Sequence, residues 1–178
     1  MSKTTIFVSG SRSITFLPPG ALQALDRIMA QGFTILVGDC FGVDLAFQRY
    51  LSAKGYRQVT VCHINSRPRH NLGFDSMRVP GTRQTDKDAY MGRTADFGLA
   101  IWDGASPGTA MNIARVKTKV ITVNGDDQSC VVCNSATRGS VTISLTVHEP
   151  LNVKIPTCFR CYESGRLKRA LELRGIEC

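Results

Sequence analysis

The sequence has no glutamate before Glu149, although aspartate occurs eight times within residues 1–125. This absence excludes, for residues 1–148, every mechanism that uses a glutamate as acid, base or nucleophile. No apolar stretch approaches the roughly 20 residues of a membrane-spanning helix. The segment Met1–Val8 also has neither the apolar region nor the cleavage site of a signal peptide. We therefore expect a soluble cytoplasmic protein with no membrane partner.

Aromatic residues are scarce as well, at 7% of the chain with a single tryptophan. The interleaved aromatic residues that stack bases in a single-strand nucleic-acid platform are therefore sparse. Positive charge is in excess: residues 1–125 contain 15 Lys and Arg against 8 Asp, and the whole chain has a net charge of +8. This excess favours anionic partners, namely nucleotides, nucleic acid or other phosphate-bearing ligands.

Strand and helix patterns alternate over residues 1–125, which predicts an α/β fold with a doubly wound, mostly parallel sheet. Periodicity fails from residue 65 to about residue 85, and we interpret this stretch as a long surface loop. The predicted strands are Thr4–Val8, Phe33–Val37, Val59–Ile64, Phe97–Trp102 and Val120–Val123.

The pattern changes after Gly125, so residues 126–178 are predicted to form a second, small, β-rich domain that resembles a zinc ribbon. Two Cys-x2-Cys pairs, Cys130/Cys133 and Cys158/Cys161, stand 24 residues apart. Four thiolates on two tight loops give the tetrahedral geometry that zinc prefers, and they leave no open coordination position. The spacing therefore predicts a structural Zn²⁺, with four free thiols as the alternative.

Three glycine-bearing turns each follow a predicted strand: residues 10–12, 38–44 and 103–109. The carboxyl ends of parallel strands meet at one edge of the sheet, where ligands bind at the switch point of the strand order. Glycine lets the backbone approach a ligand, and a helix N-terminus offers free N–H groups to a phosphate. The three turns together predict a phosphate-binding pocket at this edge.

These residues resemble the SLOG superfamily, the Rossmann-like group that includes the DNA-processing protein DprA and the LOG enzymes, and most closely its YspA-like branch. The resemblance covers residues 4–123 and rests on Val8–Arg12, on Gly38-Asp39-x-x-Gly42-x-Asp44 and on Asp103-Gly104-x-Ser106-x-Gly108-Thr109. It implies a pocket for a nucleotide or a nucleotide-derived ligand. It also implies that Lys87 and Asp88 contribute to that pocket from the helix before the fourth strand.

The sequence departs from the family at one position that matters for chemistry. LOG-type phosphoribohydrolases carry a catalytic glutamate after the glycine-rich turn, and this chain has Asn112 there. A neutral amide is no general base and provides no charge to stabilise an oxocarbenium centre. An aspartate must therefore replace the glutamate in any nucleotide N-glycosidic cleavage. Asp39, Asp44 and Asp103 are the candidates, and Asp39 and Asp103 are the predicted catalytic pair.

Two functions remain open at this point. The first is a domain that senses a nucleotide-derived ligand or acts on its N-glycosidic bond as a hydrolase or transferase. The second is a DprA-like nucleic-acid-binding module that uses a basic sheet edge and the zinc ribbon, and a purely structural interaction protein is the remaining alternative. A basic loop could close over an anionic ligand or follow a nucleic-acid backbone; it contains Arg67, Arg69, His70, Arg78 and Arg83. In either case we expect a homo-oligomer. The predicted ligand-binding residues are Gly10, Ser11, Arg12, Gly38, Asp44, Lys87, Asp88, Gly104, Ser106, Gly108 and Thr109.

Overall fold

A computed structural model describes residues 3–123 and, in the rest of the chain, residues 128–129, 136–137, 140–146, 150–156, 164, 166 and 168–169. The chain divides into two compact units, Met1–Asn124 and Gly125–Cys178. Within the described residues, no helix is both long enough and apolar enough to cross a bilayer.

The first unit is built on a six-stranded sheet in which all pairings are parallel. The strand order across the sheet is β4-β3-β2-β1-β5-β6. Because the chain moves outward from β1 to β4 and then returns to the other side of β1, the order reverses between β1 and β5. The strands are β1 (Thr5–Gly10), β2 (Thr34–Gly38), β3 (Val59–His63), β4 (Asp75–Arg78), β5 (Phe97–Trp102) and β6 (Thr118–Thr122).

Four helices connect these strands: α1 (Pro19–Ala30), α2 (Val43–Ala53), α3 (Gln84–Thr94) and α4 (Pro107–Arg115). Proline stands in the first turn of α1 and of α4, where its missing N–H costs no hydrogen bond.

Side-chain alternation along the strands covers both faces of the sheet. Phe7, Leu36 and Cys62 point to one face, where they pack against Met91 of α3. On the other face a Cβ at Gly10 would lie only 2.6 Å from Val43 of α2, so the first turn of this helix packs directly on β1. The predicted α/β fold with a parallel sheet and helices on both faces is thus confirmed.

The prediction that residues 65–85 form one long loop is wrong in part, because β4 lies within this stretch and pairs with β3. The sequence of β4 is Asp-Ser-Met-Arg, and its residues are largely exposed because it is an edge strand. A four-residue polar edge strand has none of the apolar alternation by which strands are predicted. The sheet therefore has six strands where the sequence pattern predicts five.

The described part of the second unit contains two antiparallel pairs. Strand β7 (Gln128–Ser129) pairs with β8 (Ala136–Thr137), and β9 (Ser140–Thr146) pairs with β10 (Pro150–Pro156). The predicted zinc ligands Cys130, Cys133, Cys158 and Cys161 lie outside the described residues, so the zinc site stays a prediction.

Candidate functional site

A cleft of about 330 Å³ lies at the carboxyl ends of β1 and β5, where the strand order reverses. Its deep end is apolar, with the buried side chains of Phe7 and Met91. Segments from each of the three predicted turns contribute to its walls, together with the start of α3. Of the residues predicted from sequence, those that line the cleft are Gly10, Arg12, Asp44, Asp88, Asp103, Ser106, Gly108 and Thr109.

The other predicted site residues lie behind the cleft wall or at its outer turn: Ser11, Gly38, Asp39, Lys87 and Gly104. Ser11 joins the first and third turns, because its N–H donates to the Ile101 carbonyl (3.0 Å) and its Oγ accepts from the Asp103 N–H (3.1 Å). Gly104 has a φ of +77° in an exposed turn, so it serves the backbone conformation there.

The carboxylate of Asp103 accepts four hydrogen bonds, three from its own turn and one from Ser13. Oδ1 accepts from the N–H groups of Ala105 (3.0 Å) and Ser106 (2.7 Å), and Oδ2 accepts from the hydroxyls of Ser13 and Ser106 (both 2.7 Å). Burial by itself would raise the pKa of Asp103, but these four hydrogen bonds outweigh it and hold the pKa well below the ordinary aspartate value. The geometry assigns Asp103 to fixing the turn, which does not fit the predicted role in catalysis.

The first turn of α4 faces the cleft with little side chain in the way. A Cβ at Gly108 would have no neighbouring atom within 4 Å, and the first N–H groups of an α-helix have no carbonyl partner within the helix. Arg12 lines the same cleft, is exposed, and makes no ion pair within the described residues. Helix N–H groups and an unpaired guanidinium together suit a phosphate.

Asp39, at the end of β2, is completely buried and bound by two cations. Its Oδ1 accepts from Lys87 Nζ (2.9 Å) and Arg69 Nη2 (2.8 Å), while Oδ2 accepts from Arg69 Nε and from the Arg69 backbone N–H (both 3.1 Å). Burial by itself would raise the pKa of Asp39, yet the hydrogen bonds from Arg69 and Lys87 lower it well below the usual range. Asp39 does not line the cleft. The predicted catalytic role of Asp39 therefore does not fit the geometry either.

Lys87 is the buried counter-ion of this cluster and does not touch the cleft. Its side chain is 1% exposed. Burial lowers the pKa of Lys87, but Asp44, Cys40 and Asp39 outweigh this effect and the net pKa is raised. The ammonium group is therefore a fixed positive charge beneath the cleft. This differs from the direct contact with ligand that the family resemblance implies.

Asp44, in the first turn of α2, combines burial with access to the cleft. It is 8% exposed and lines the cleft, and the only hydrogen bond shown to its carboxylate comes from the Cys40 N–H (3.2 Å), within the part of the chain that the structure describes. Burial raises the pKa of Asp44 to about 6, with the Lys87 charge opposing and the Asp88 charge reinforcing this rise. Of the three candidate aspartates, Asp44 alone has the environment of an acid–base group near neutral pH.

Asp88 and Asn112 form a pair on the opposite wall. Asn112, at the position where the resemblance implies a glutamate, is 8% exposed, lines the cleft as Asp88 does, and accepts a hydrogen bond from Arg115 Nε on its Oδ1 (3.3 Å). Burial raises the pKa of Asp88, against the lowering effects of Lys87, Asn112 and Arg115. Asn112 thus contributes a polar group that favours the ionised form of Asp88 in the cleft lining.

The cleft has walls of both signs, which the sequence reasoning did not anticipate. Arg12 and Arg69 line it, and so do Asp44, Asp88 and Asp103. Arg69 is paired with Asp39, so of the two lining arginines Arg12 is the one that makes no ion pair within the described residues. No sequence signal identified the remaining polar lining residues, because the α3 start and the first turn meet only in the fold; they are Ser9, Ser13, Cys40, Gln84 and Thr85.

Comparisons of the chain with protein-family models, with curated proteins and with solved structures find no match. The class of protein that the coordinates define is therefore a parallel α/β domain with a cleft at its switch point.

Proposed function

We propose that the cleft binds a nucleotide-derived small molecule whose phosphate lies between Arg12 and the first turn of α4. The observation that supports this proposal is the convergence, at the switch point of a parallel sheet, of an open helix N-terminus and an arginine that makes no ion pair within the described residues. The resemblance to the SLOG superfamily leads to the same expectation.

The size of the cleft favours a mononucleotide or a smaller ligand. Pockets for small ligands measure roughly 300–1,000 Å³, and this cleft, at about 330 Å³, is at the low end of that range. A dinucleotide or a nucleic-acid strand would extend far beyond it.

Asp44 is the group in this cleft best suited to exchange a proton with the ligand. A carboxyl group with a pKa near 6 is available both as an acid and as a base close to neutral pH. The bound ligand is either cleaved at its N-glycosidic bond or only sensed, and an incubation with nucleoside 5′-monophosphates distinguishes these two possibilities. Release of free base that Asp44→Asn abolishes identifies a hydrolase or transferase, whereas binding without release identifies a sensor.

Titration calorimetry with nucleoside 5′-monophosphates, ribose 5-phosphate and inorganic phosphate tests the phosphate seat. Gly108→Val places a branched side chain in the open space next to the first turn of α4, and Arg12→Gln removes the guanidinium charge of Arg12. We expect each change to lower the affinity for every phosphorylated ligand at least tenfold, while the circular dichroism spectrum stays that of the wild type.

The matched control is Arg67→Gln, which removes a positive charge from an exposed position outside the cleft. Its affinity for phosphorylated ligands should equal that of the wild type. If no nucleotide or phosphate binds, and single-stranded oligonucleotides bind with an affinity that falls steeply with salt, the proposal is overturned in favour of a nucleic-acid-binding module.

A further inference from the structure

Two aromatic rings, those of Phe41 and His70, lie one residue beyond two residues that line the cleft, Cys40 and Arg69; we call this place the rim of the cleft. Phe41 is 56% exposed, and its ring centroid lies 6.4 Å from that of His70, with the ring planes tilted by 56°. A single exposed apolar side chain is common on protein surfaces. The surroundings of this pair, however, set it apart.

The turn that carries Phe41 is held firmly against the first turn of the cleft. Gly42, the next residue, has a φ of +86°, and a Cβ there would lie 2.6 Å from the backbone of Arg12. Only glycine permits both this conformation and this close approach. The turn that carries Phe41 is thus packed, through Gly42, against the backbone of the β1–α1 turn at Arg12.

A buried glutamine, Gln48, holds the backbone of His70 in place by a hydrogen bond. Gln48 is fully buried, and its Nε2 donates to the carbonyls of Gly38 (3.1 Å) and His70 (3.3 Å). The preceding residue, Arg69, is bound through its side chain to Asp39. Both rings are therefore attached to backbone that internal hydrogen bonds or close packing hold in place.

The sequence neighbours of the two rings place the pair next to the cleft. Cys40 precedes Phe41, Arg69 precedes His70, and both Cys40 and Arg69 line the cleft. A ligand whose phosphate lies at α4 and Arg12 would extend across the end of β1 toward this rim. The group that reaches the rim would meet an exposed aromatic face.

We propose that Phe41 and His70 form a stacking platform for the base of the bound nucleotide, so that this rim selects ligands with a flat aromatic ring over sugar phosphates. The inference rests on the proposed function, since it assigns the far end of the same ligand. Stacking on an aromatic side chain tolerates every base. We therefore expect preference for a base as such and little discrimination among the bases.

Calorimetry on the full chain tests the platform by comparing nucleoside 5′-monophosphates with ribose 5-phosphate. For the wild type we expect tighter binding of the nucleotides. Phe41→Ala should lower nucleotide affinity on the order of tenfold and leave ribose 5-phosphate affinity unchanged, so that the preference disappears. Phe41→Tyr should retain the preference, because the aromatic face is kept.

Phe97→Ala is the matched control. Phe97 is also exposed (46%), but it lies at the amino end of β5, whereas the cleft lies at the carboxyl end of this strand. It should bind both ligands as the wild type does. Equal losses for nucleotide and ribose 5-phosphate in Phe41→Ala, or no loss for either, would overturn the platform and leave the phosphate seat standing. A loss confined to single-stranded oligonucleotides would also overturn it. Absence of all binding by the wild type would instead reject the proposed function, and the platform with it.

Discussion

The two turns on either side of β1 are built from similar residues but have different chemistry. Each follows a buried strand, contains glycine and aspartate, and leads into a helix. In the β5–α4 turn, the carboxylate of Asp103 is satisfied by four hydrogen bonds from the turn itself and from Ser13. In the β2–α2 turn, Asp39 needs two cations from distant segments, and Asp44 lies buried with one hydrogen bond shown.

This contrast shows that partners, rather than residue type, decide what an aspartate does at a strand end. Where local donors saturate the carboxylate, the pKa falls and the helix N-terminus stays open to an anion, as in the β5–α4 turn. Where burial exceeds the supply of donors, the pKa rises, as at Asp44. One wall of the cleft is therefore suited to bind phosphate and the other to exchange a proton.

The largest effect is expected from removing Lys87, the buried cation next to Asp39 in the wall that contains Asp44. Lys87→Met leaves Asp39, which is completely buried, with Arg69 as its remaining counter-ion, and it removes the positive charge that opposes the raised pKa of Asp44. Breaking a buried ion pair by deleting one partner costs about 3–5 kcal/mol. Urea denaturation should show a loss of this size in the free energy of unfolding.

Lys54→Met is the matched control for this change. Lys54 pairs with Asp26 at 3.7 Å, and both side chains are about half exposed (49% and 50%). Exposed ion pairs contribute little, so its unfolding curve should almost overlay that of the wild type. Similar curves for Lys87→Met and Lys54→Met would mean that the buried cluster does not stabilise the fold.

The second prediction concerns the dependence of stability on pH. The pKa of Asp44 is about 6 in the folded protein and about 3.8 in the unfolded chain, so the folded state binds more protons between these values. Stability is therefore highest below pH 4 as far as Asp44 is concerned, and it falls as pH rises to about 6. The loss is about 2–3 kcal/mol, and Asp88 adds to it because its pKa is also raised.

Asp44→Asn should remove the larger part of this slope in urea denaturation curves recorded from pH 4 to pH 7. Asp103→Asn is the control from the other wall. Because the pKa of Asp103 is lowered in the fold, its stabilising contribution is complete above about pH 4 and is lost only in more acidic solution. That variant should be less stable by a constant amount and keep the wild-type slope. A wild-type slope in Asp44→Asn would show that Asp44 is ionised like an ordinary surface carboxylate.

Much of the fold follows from local sequence pattern, whereas the roles within the site do not. Apolar runs and flanking glycines identified the central strands, because buried parallel strands are apolar along their whole length. The three turns were predicted to share one edge because the carboxyl ends of parallel strands lie on the same side of the sheet. Which carboxyl groups are paired depends on Arg69 and Lys87, which are 30 and 48 residues from Asp39 in sequence. No local pattern contains that information, and so the sequence could not distinguish the environments of Asp39, Asp44 and Asp103.

The smallest effect is expected from removing one hydrogen bond in the wall that contains Asp103. Ser13→Ala removes one of the four hydrogen bonds to Asp103, and because Ser13 is exposed, water takes its place on Oδ2. The cost should be at most about 0.5–1.5 kcal/mol in urea denaturation. Because three donors remain, the turn keeps its shape, and phosphate affinity measured by calorimetry should change less than twofold. A loss of affinity as large as that of Gly108→Val would show that the β1–α1 turn, rather than the helix end, positions the phosphate.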